Sequence, residues 1–334
     1  MTKWDKDYLN LCKRILTEGV EVENRTGINT IKVPSHHFEF NLSDEFPILQ
    51  TKQLFFKNAI TEILWIYQAQ SNRVDWLHDR MNHVWDEWII DQDGFYRTYE
   101  EKNGIKTLRS EKYFGEEYAG TIGTAYGWIV DRYKLTDHLL NMLKNNPRDR
   151  RLVMSLWQNE WLETAVLPSC VWSSEWDVTE GKLNAWVHQR SCDVPLGLPF
   201  NVTQYATLLS LFAKCSGLEP GTLDWSIKDA HIYVNQVEGI KKQIHRGNIL
   251  EKITALDADQ VLYLNKKMQE KGKLDETHTQ ILNATNIALA EEDPYLWINP
   301  EIDDFYNYDN SHELKDTKVK SYKHMGKIKF PITQ

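Results

Sequence analysis

The sequence has little cysteine: only Cys12, Cys170, Cys192 and Cys215 occur in 334 residues. No two of them have the CxxC spacing of zinc sites or dithiol redox motifs, so neither kind of site is expected. We therefore interpret all four as free thiols of a reduced, cytoplasmic protein. Cys12 and Cys215 fall on apolar helical faces and are expected to be buried, which leaves Cys170 and Cys192 as candidates for chemistry.

Long apolar runs and an excess of positive charge are also missing. No run approaches the roughly 20 apolar residues that a membrane-spanning helix needs, and the N-terminal residues lack the apolar region of a signal peptide. The formal net charge of −9 argues against a surface that coats nucleic acid. An anionic substrate would therefore need a local cluster of arginines.

The chain is long enough to bury one large core or two modest ones, and its 13 tryptophans can fill a core or stack on a planar ligand. Apolar periodicity predicts helices alternating with strands. Helices are expected over 5–17, 57–70, 136–144, 201–215 and 234–245, and strands over 31–40, 151–157, 172–178, 182–190 and 223–231. The strands expected over 172–178 and 182–190 are predicted to form a hairpin across Glu180-Gly181. This order predicts a mixed sheet layered with helices, of class α+β or mixed α/β.

The segment from Gln189 to Asn201 concentrates a cation, a hydroxyl, a carboxylate and an amide between glycine and proline residues. Cys170 lies upstream, and the run Asp229-Ala230-His231-Ile232-Tyr233 follows downstream. In this order and spacing the three segments resemble the signature of the thymidylate synthase family. Five further blocks resemble that family in the same order: 24–27, 62–65, 85–88, 126–127 and 150–151.

The resemblance implies one α+β domain over 1–334, with a large mixed β-sheet layered with helices and with insertions at about 91–120 and 250–293. Both insertions are predicted to be surface decoration or oligomer contacts, and the second carries two helical segments, 257–270 and 275–291. The implied reaction is the reductive methylation of dUMP to dTMP. The implied co-substrate is 5,10-methylenetetrahydrofolate, which leaves as dihydrofolate. No metal, membrane or nucleic acid is implied.

Five residues match the family's catalytic positions. Cys170 is the implied nucleophile, with Cys192 as the local competitor, and a nearby cation such as Arg190 would favour its thiolate. Glu62, a carboxylate inside an apolar helical segment, is the implied proton shuttle. Tyr126 is the implied partner of a water that removes the C5 proton. Asn201 offers one donor and one acceptor to the edge of uracil, where related cytosine enzymes carry aspartate.

The other matched positions concern binding. The implied phosphate clamp is Arg25, Arg190 and Ser191, joined by Arg150 and Arg151, because guanidinium groups bind phosphate oxygens in pairs. In this family the paired arginines come from the other subunit, so the resemblance implies a homodimer. Without it, Arg150 and Arg151 would simply be surface residues. The implied ligands of the deoxyribose hydroxyl are His231 and Tyr233, and those of the folate are Asp193, Trp85 and Trp88.

Two other functions stay open at this point. A deoxyuridylate hydroxymethylase shares the early steps, but water replaces hydride in the capture of the exocyclic methylene. An inactive nucleotide-binding regulator would have no need of the Cys170 thiolate. The chain also departs from the family at Val171, where histidine is usual, at Lys228, where glycine is usual, and in its last residues. The synthase is favoured because Trp85 and Trp88 are kept.

Overall fold

A mixed seven-stranded sheet forms the centre of the protein in a computed structural model that describes residues 1–102, 104–271 and 274–333. The described strands are β1 (Val20–Val22), β2 (Thr30–Asn41), β3 (Phe95–Lys102), β4 (Ile105–Tyr113), β5 (Val153–Ser155), β6 (Val171–Thr179), β7 (Lys182–Gln189), β8 (Cys192–Asp193), β9 (Glu219–Tyr233), β10 (Tyr295–Ile298) and β11 (Thr317–Lys320). The sheet has the order β1-β2-β9-β7-β6-β5, and β8 also pairs with β9. Strands β7 and β8 run parallel to β9, whereas the other neighbours in the sheet are antiparallel.

Helices cover this sheet, which confirms the predicted α+β class. The described helices are α1 (Lys3–Glu18), α2 (Phe56–Tyr67), α3 (Val74–His78), α4 (Gly127–Tyr133), α5 (Leu135–Asn145), α6 (Gly197–Cys215), α7 (Val237–Thr254), α8 (Ala258–Gln269) and α9 (Glu276–Ala288). Helix α6 is buried along almost its whole length and packs against β7, β9 and α2. Within the described ranges, no helix combines the length and the apolar character required to cross a membrane.

The predicted hairpin between β6 and β7 is confirmed. Its two turn residues, Glu180 and Gly181, have φ angles of 52° and 78°, the left-handed pair that a type I′ turn requires. The strands on either side alternate buried and exposed positions. The side chains that point away from the core leave Trp172 and Trp186 partly exposed, at 36% and 48%.

Several predicted boundaries are wrong. Helix α2 ends at Tyr67 rather than Gln70, and strand β9 covers Glu219–Tyr233 rather than 223–231. Helix α6 begins at Gly197 rather than Asn201, because the apolar pattern is continuous with the preceding Leu198-Pro199-Phe200. Strand β5 covers only Val153–Ser155 of the expected 151–157, since its single partner β6 pairs with three of its residues. The helix expected over 234–245 is a 3₁₀ turn, Val234–Gln236, followed by the longer α7.

The two polar segments have different structures. Within 91–120, strands β3 and β4 form an antiparallel hairpin outside the main sheet. Within 250–293, α8 and α9 pack on α7 around a small apolar cluster that includes Leu250, Val261 and Ala284. The two predicted helical segments are confirmed, and Asp257 and Asp275 are their N-caps. Gly272 and Lys273, in the predicted link between these helices, lie outside the described residues.

A buried carboxylate ties α1 to the segment that leads into α2. Asp5 is fully buried, and its oxygens accept hydrogen bonds from Thr2 Oγ1, from the backbone N–H groups of Gln50 and Thr51, and from Thr51 Oγ1, at 2.7–3.2 Å. Burial raises the pKa of this carboxyl group, and the Gln50 N–H bond opposes the rise. Removal of the carboxylate would leave several buried donors without an acceptor.

We therefore expect Asp5→Ala to lower the free energy of unfolding by about 3 kcal/mol, since each orphaned buried donor costs about 1–3 kcal/mol. The matched control is Asp7→Ala on the same helix. Asp7 forms a partly exposed i,i+4 ion pair with Lys3, and its loss should cost less than about 1 kcal/mol. Chemical denaturation of both variants provides the comparison. Equal losses would show that Asp5 is not an anchor.

Candidate active site

One cavity of about 620 Å³ lies where the ends of β7, β8 and β9 meet α2 and α6. Twelve of the fourteen predicted site residues line it. They are Arg25, Glu62, Trp85, Trp88, Tyr126, Cys170, Arg190, Ser191, Asp193, Asn201, His231 and Tyr233. Segments far apart in the sequence therefore converge on a single space.

Arg190 holds the loop that presents Cys170. Its backbone N–H donates to the Cys170 carbonyl at 2.9 Å. Its guanidinium donates to the carbonyls of Ser169 and Pro168, at 3.0 and 2.6 Å. Its Nη2 also lies 3.8 Å from the Cys170 Sγ. One side chain thus fixes the cysteine loop and puts a positive charge beside the sulfur.

Burial raises the pKa of the Cys170 thiol, while Arg190, Arg25 and the Tyr126 hydroxyl oppose that rise. The cations expected to favour the thiolate are present, but burial outweighs them. Cys192 is fully buried, lies outside the cavity lining, and has a pKa raised well above its ordinary value by burial. Access therefore favours Cys170 over Cys192 as a nucleophile.

Tyr126 is held at the start of α4 in a strained backbone conformation, with φ 48°. The next residue must be glycine, because a Cβ on Gly127 would lie 2.0 Å from the Ser71 carbonyl oxygen. The Tyr126 hydroxyl oxygen accepts a hydrogen bond from the Cys170 N–H at 3.0 Å. This contact fixes the phenol, which is only 8% exposed, against the cysteine loop.

Glu62 is a partly buried carboxylate on α2 with two neutral donors. Trp85 Nε1 donates to Oε1 at 2.9 Å, and Gln204 Nε2 donates to Oε2 at 2.8 Å. Burial raises the pKa of Glu62 to about 7, although both hydrogen bonds favour the ionised form. A carboxyl group that titrates near neutral pH can both give and take a proton.

A chain of amides connects Asn201 to Glu62. Trp225 Nε1 donates to Gln189 Oε1 at 3.0 Å, and Gln189 Nε2 donates to Asn201 Oδ1 at 3.2 Å. Asn201 Nδ2 then donates to Gln204 Oε1 at 3.0 Å. Because the indole can only donate and the carboxylate can only accept, the two ends set one direction for every amide between them.

The sequence analysis missed both glutamines of this chain. Gln189 opens the motif that contains Arg190, and Gln204 follows Asn201 by three residues on α6, which puts the two on one helix face. That spacing could have indicated from the sequence that Gln204 lies beside Asn201. What the sequence could not provide is the contact with Glu62, which lies 142 positions away.

The cationic side of the cavity is lined by Arg25, Arg190 and Ser191. Ser191 Oγ donates to Asp229 Oδ2 at 3.1 Å, and Lys32 Nζ lies 2.7 Å from Asp229 Oδ1. Hydrogen bonds, from His231 above all, hold the pKa of Asp229 well below its usual range. Asp229, which belongs to a predicted motif but had no role assigned to it from the sequence, is therefore an ionised group that positions Ser191.

Arg150 and Arg151 do not line the cavity of their own chain. Both are exposed, and Arg151 forms a two-pronged contact with Asp149, at 2.9 and 2.7 Å. At these surface positions, neither side chain contributes a group to the cavity of its own chain.

The remaining predicted residues form two groups. His231 and Tyr233 project from β9 on the same side, with ring centroids 5.3 Å apart. Asp193 accepts from the Leu196 N–H at 3.1 Å and from Gln236 Nε2 at 3.0 Å, and burial raises its pKa. Trp85 packs against both Tyr126 and Trp88, with centroids 5.2 and 5.5 Å apart.

Residues near the C-terminus form part of the cavity wall. Ile332 and Thr333 line it, and Gln236 Nε2 donates to the Pro331 carbonyl at 3.1 Å as well as to Asp193. Phe330 packs so closely on Gly239 that an added Cβ there would lie 2.5 Å from its ring. Gln334 lies outside the described residues. The altered tail therefore still reaches the site.

One group of possible metal ligands lies elsewhere. His78, His83 and Asp86 bring their ligand atoms within 4.8 Å of one another, and all three are exposed. The imidazoles already contact the Asp86 oxygens, at 2.6 and 2.9 Å, so hydrogen bonding accounts for the cluster. None of the three residues lines the cavity around Cys170.

Comparisons with known proteins agree with one another. A family model described as thymidylate synthase matches residues 6–271. A thymidylate synthase of Clostridium beijerinckii is 38% identical, over all of both chains. One from Bacillus phage phi3T is 31% identical, over 99% of both chains. Among solved structures, thermostable thymidylate synthase A from Bacillus subtilis is 30% identical over all of both chains, with a TM-score of 0.73.

The match extends over most of the chain, and the residues that carried the resemblance surround one cavity. The chain therefore belongs to the thymidylate synthase family of methyltransferase enzymes.

Proposed function

We propose that this protein converts dUMP to dTMP by reductive methylation, with 5,10-methylenetetrahydrofolate as co-substrate and dihydrofolate as second product. The observation that carries the proposal is the position of Cys170. Its thiol faces a cavity with a guanidinium 3.8 Å away, and the Asn201 amide and the Glu62 carboxyl line the same cavity. A protein that only bound nucleotides would have no use for such a thiol.

The first step is addition of the Cys170 thiolate to C6 of the pyrimidine, which makes C5 nucleophilic. Arg190 and Arg25 favour the thiolate against the effect of burial. Arg25, Arg190 and Ser191 bind the phosphate, and guanidinium forks suit its oxygens. Because Arg190 also holds the cysteine loop, nucleophile and phosphate are fixed by the same side chain.

Asn201 reads the base. Its Oδ1 already accepts from Gln189 and its Nδ2 already donates to Gln204, so one lone pair and one hydrogen remain for the substrate. These match the N3–H and O4 of uracil. Cytosine reverses the donor and acceptor at this edge, and the remaining lone pair and hydrogen of the amide would be left unpaired.

Glu62 moves protons at the pyrimidine through water, and the Tyr126 hydroxyl positions the water that takes the C5 proton. Asp193 accepts from the pterin, and Trp85 and Trp88 exclude bulk water. When bound, the folate supplies the one-carbon group and the hydride. His231 and Tyr233 bind the deoxyribose hydroxyl from β9.

The working unit is a homodimer in which Arg150 and Arg151 reach the partner's phosphate site. Two observations support this proposal: both arginines are exposed away from their own cavity, and the outer side of the sheet exposes Trp172 and Trp186. Large exposed aromatic groups are typical of surfaces that bind another protein. The four free cysteines suit the reducing cytoplasm.

Incubation of the protein with dUMP and methylenetetrahydrofolate should yield dTMP and dihydrofolate in equal amounts. Mass spectrometry of the nucleotide and absorbance of the folate give the two readouts. Hydroxymethyl-dUMP with tetrahydrofolate would instead identify the hydroxymethylase. Absence of any product despite tight dUMP binding would favour the regulator.

The control for this experiment is the nucleophile. Cys170→Ala should abolish turnover but leave dUMP binding largely intact, because the phosphate ligands remain. With 5-fluoro-dUMP and the folate, the wild type should form a covalent complex stable to denaturation, attached at Cys170. Attachment at Cys192, or turnover by Cys170→Ala, would refute the assignment.

Glu62 should impose a pH dependence on the reaction. Its pKa is about 7 because burial disfavours the carboxylate. The carboxyl form therefore prevails below that pH. Because Glu62 must hold a proton in order to donate it, kcat/KM should fall as the pH rises above about 7. Glu62→Gln keeps the shape but cannot transfer a proton, so the rate should fall by at least about 100-fold and the alkaline limb should disappear. A pH profile of Glu62→Gln that still parallels the wild type would exclude this role.

Shared sites predict complementation between inactive subunits. When Arg151→Ala and Cys170→Ala chains are mixed, each heterodimer should hold one site without either lesion and one site with both. Random exchange would therefore restore about a quarter of the wild-type activity. Exchange is checked with differently tagged chains. If tagged heterodimers form and remain inactive, the arginines do not cross between subunits.

A further inference from the structure

A second cleft adjoins the catalytic cavity. It has a volume of about 260 Å³ and shares Arg25, Trp88 and Leu167 with the larger space. Its outer wall is the β3–β4 hairpin, which lies in the insertion predicted to be surface decoration or an oligomer contact. The lining from this hairpin is Tyr96, Thr98, Arg109 and Ser110.

Tyr96, Thr98 and Ser110 lie on one side of the hairpin, because Tyr96 and Thr98 are two residues apart on β3 and Ser110 is opposite Thr98. Arg109 lies at a register shift between the two strands, where a bulge frees its side chain from the alternation. Thr98 pairs with Ser110 on β4, and their hydroxyl oxygens lie 2.6 Å apart. Lys112 Nζ donates to the Glu163 carbonyl at 2.7 Å and anchors the hairpin to the body of the protein. The wall of the cleft is thus a built surface with several hydroxyl groups.

Arg109 links this wall to the phosphate site. Its Nη2 donates to the backbone carbonyl of Arg25 at 3.1 Å. Next to that contact the chain turns through Gly27, at φ 78°, and a Cβ there would lie 3.6 Å from Arg109 Nη2. Asn24 Nδ2 closes the same turn by donating to the Ile28 carbonyl at 2.8 Å. The hairpin therefore helps to fix the loop that carries Arg25.

The charged residues that line the cleft are cationic. Of the described residues in its lining, these are Arg25 and Arg109, and none is a carboxylate. The Tyr96 hydroxyl responds to Arg25, which lowers its pKa, whereas burial and the Glu87 carboxylate outside the lining raise it. In a chain with a net charge of −9, such a pocket is a local exception. Two guanidinium groups with neighbouring hydroxyls suit an oxyanion such as a phosphate.

We propose that this cleft is a second anion site, in which Arg109 and Arg25 bind a phosphate group beside the catalytic cavity. Arg109 is a positioning residue: it orients the Arg25 loop and adds a cation outside the clamp formed by Arg25, Arg190 and Ser191. The proposal rests on the proposed function, since it takes dUMP as the substrate. The phosphate group has two potential sources, the substrate itself or free inorganic phosphate.

The test compares Arg109→Gln with the wild type in phosphate-free buffer, by titration calorimetry with dUMP and with inorganic phosphate, and by steady-state kinetics. Loss of one charge-assisted contact at an exposed site should weaken anion binding by about tenfold, with kcat changed by less than about twofold. Arg109→Lys, which keeps the charge but not the fork, should recover part of the affinity. Lys106→Gln removes a cation from the same strand outside the cleft lining and should bind as the wild type does.

The two sources separate in competition. If the cleft captures the substrate's phosphate, Arg109→Gln raises KM for dUMP, and inorganic phosphate competes with dUMP in the wild type. If it binds free phosphate, phosphate still binds at saturating dUMP, and Arg109→Gln loses only that binding. Wild-type affinity of Arg109→Gln for both ligands overturns the proposal, provided that thermal unfolding shows the variant is folded. Should the wild type not bind dUMP at all, the proposed function fails, while the phosphate titration still tests the cleft.

Discussion

The site depends on how two successive strands share one neighbour. Strands β7 and β8 both run parallel to β9, with Gln189 opposite Ile227 and Cys192 opposite Ala230. Between these two pairs, residues 190–191 and residues 228–229 of β9 do not pair with each other. Within this interruption Asp229 takes a left-handed φ of 57°. Side chains at this interruption do not have to alternate between the two faces of the sheet. Arg190, Ser191 and Asp229 thereby all reach the cavity.

Beyond this interruption, the residues of the site are connected by polar contacts rather than by packing in the apolar core. Arg190 satisfies the carbonyls of the cysteine loop, and Gln189 begins the amide chain that ends at Glu62. Such chains are strongly directional, because a reversed amide would leave buried donors facing donors. The rigid sheet fixes one end, and the two helices that pack against each other, α2 and α6, fix the other.

Much of this could be predicted because chemistry and local pattern agree. The turn at Glu180-Gly181 and the existence of helix α6, though not its first residue, follow from residue types alone, and the motifs led to twelve residues of one cavity. The contacts of Gln204 and Asp229 could not be predicted, because they depend on which distant segments meet. The β3–β4 hairpin was missed for a different reason. Strand β4 is exposed along its whole length, so it lacks the apolar alternation by which half-buried strands are recognised.

The contact between Trp85 and Glu62 has an optical consequence. The indole donates directly to the carboxyl group at 2.9 Å, so a change in the charge of Glu62 changes the electric field across the ring. Indole absorption and emission respond to such fields. Trp85 is also almost wholly screened from solvent, with 6% of its surface exposed, which keeps bulk water from dominating its signal. Among the 13 tryptophans of the protein, Trp85 is therefore the one whose fluorescence is expected to respond to the protonation state of Glu62.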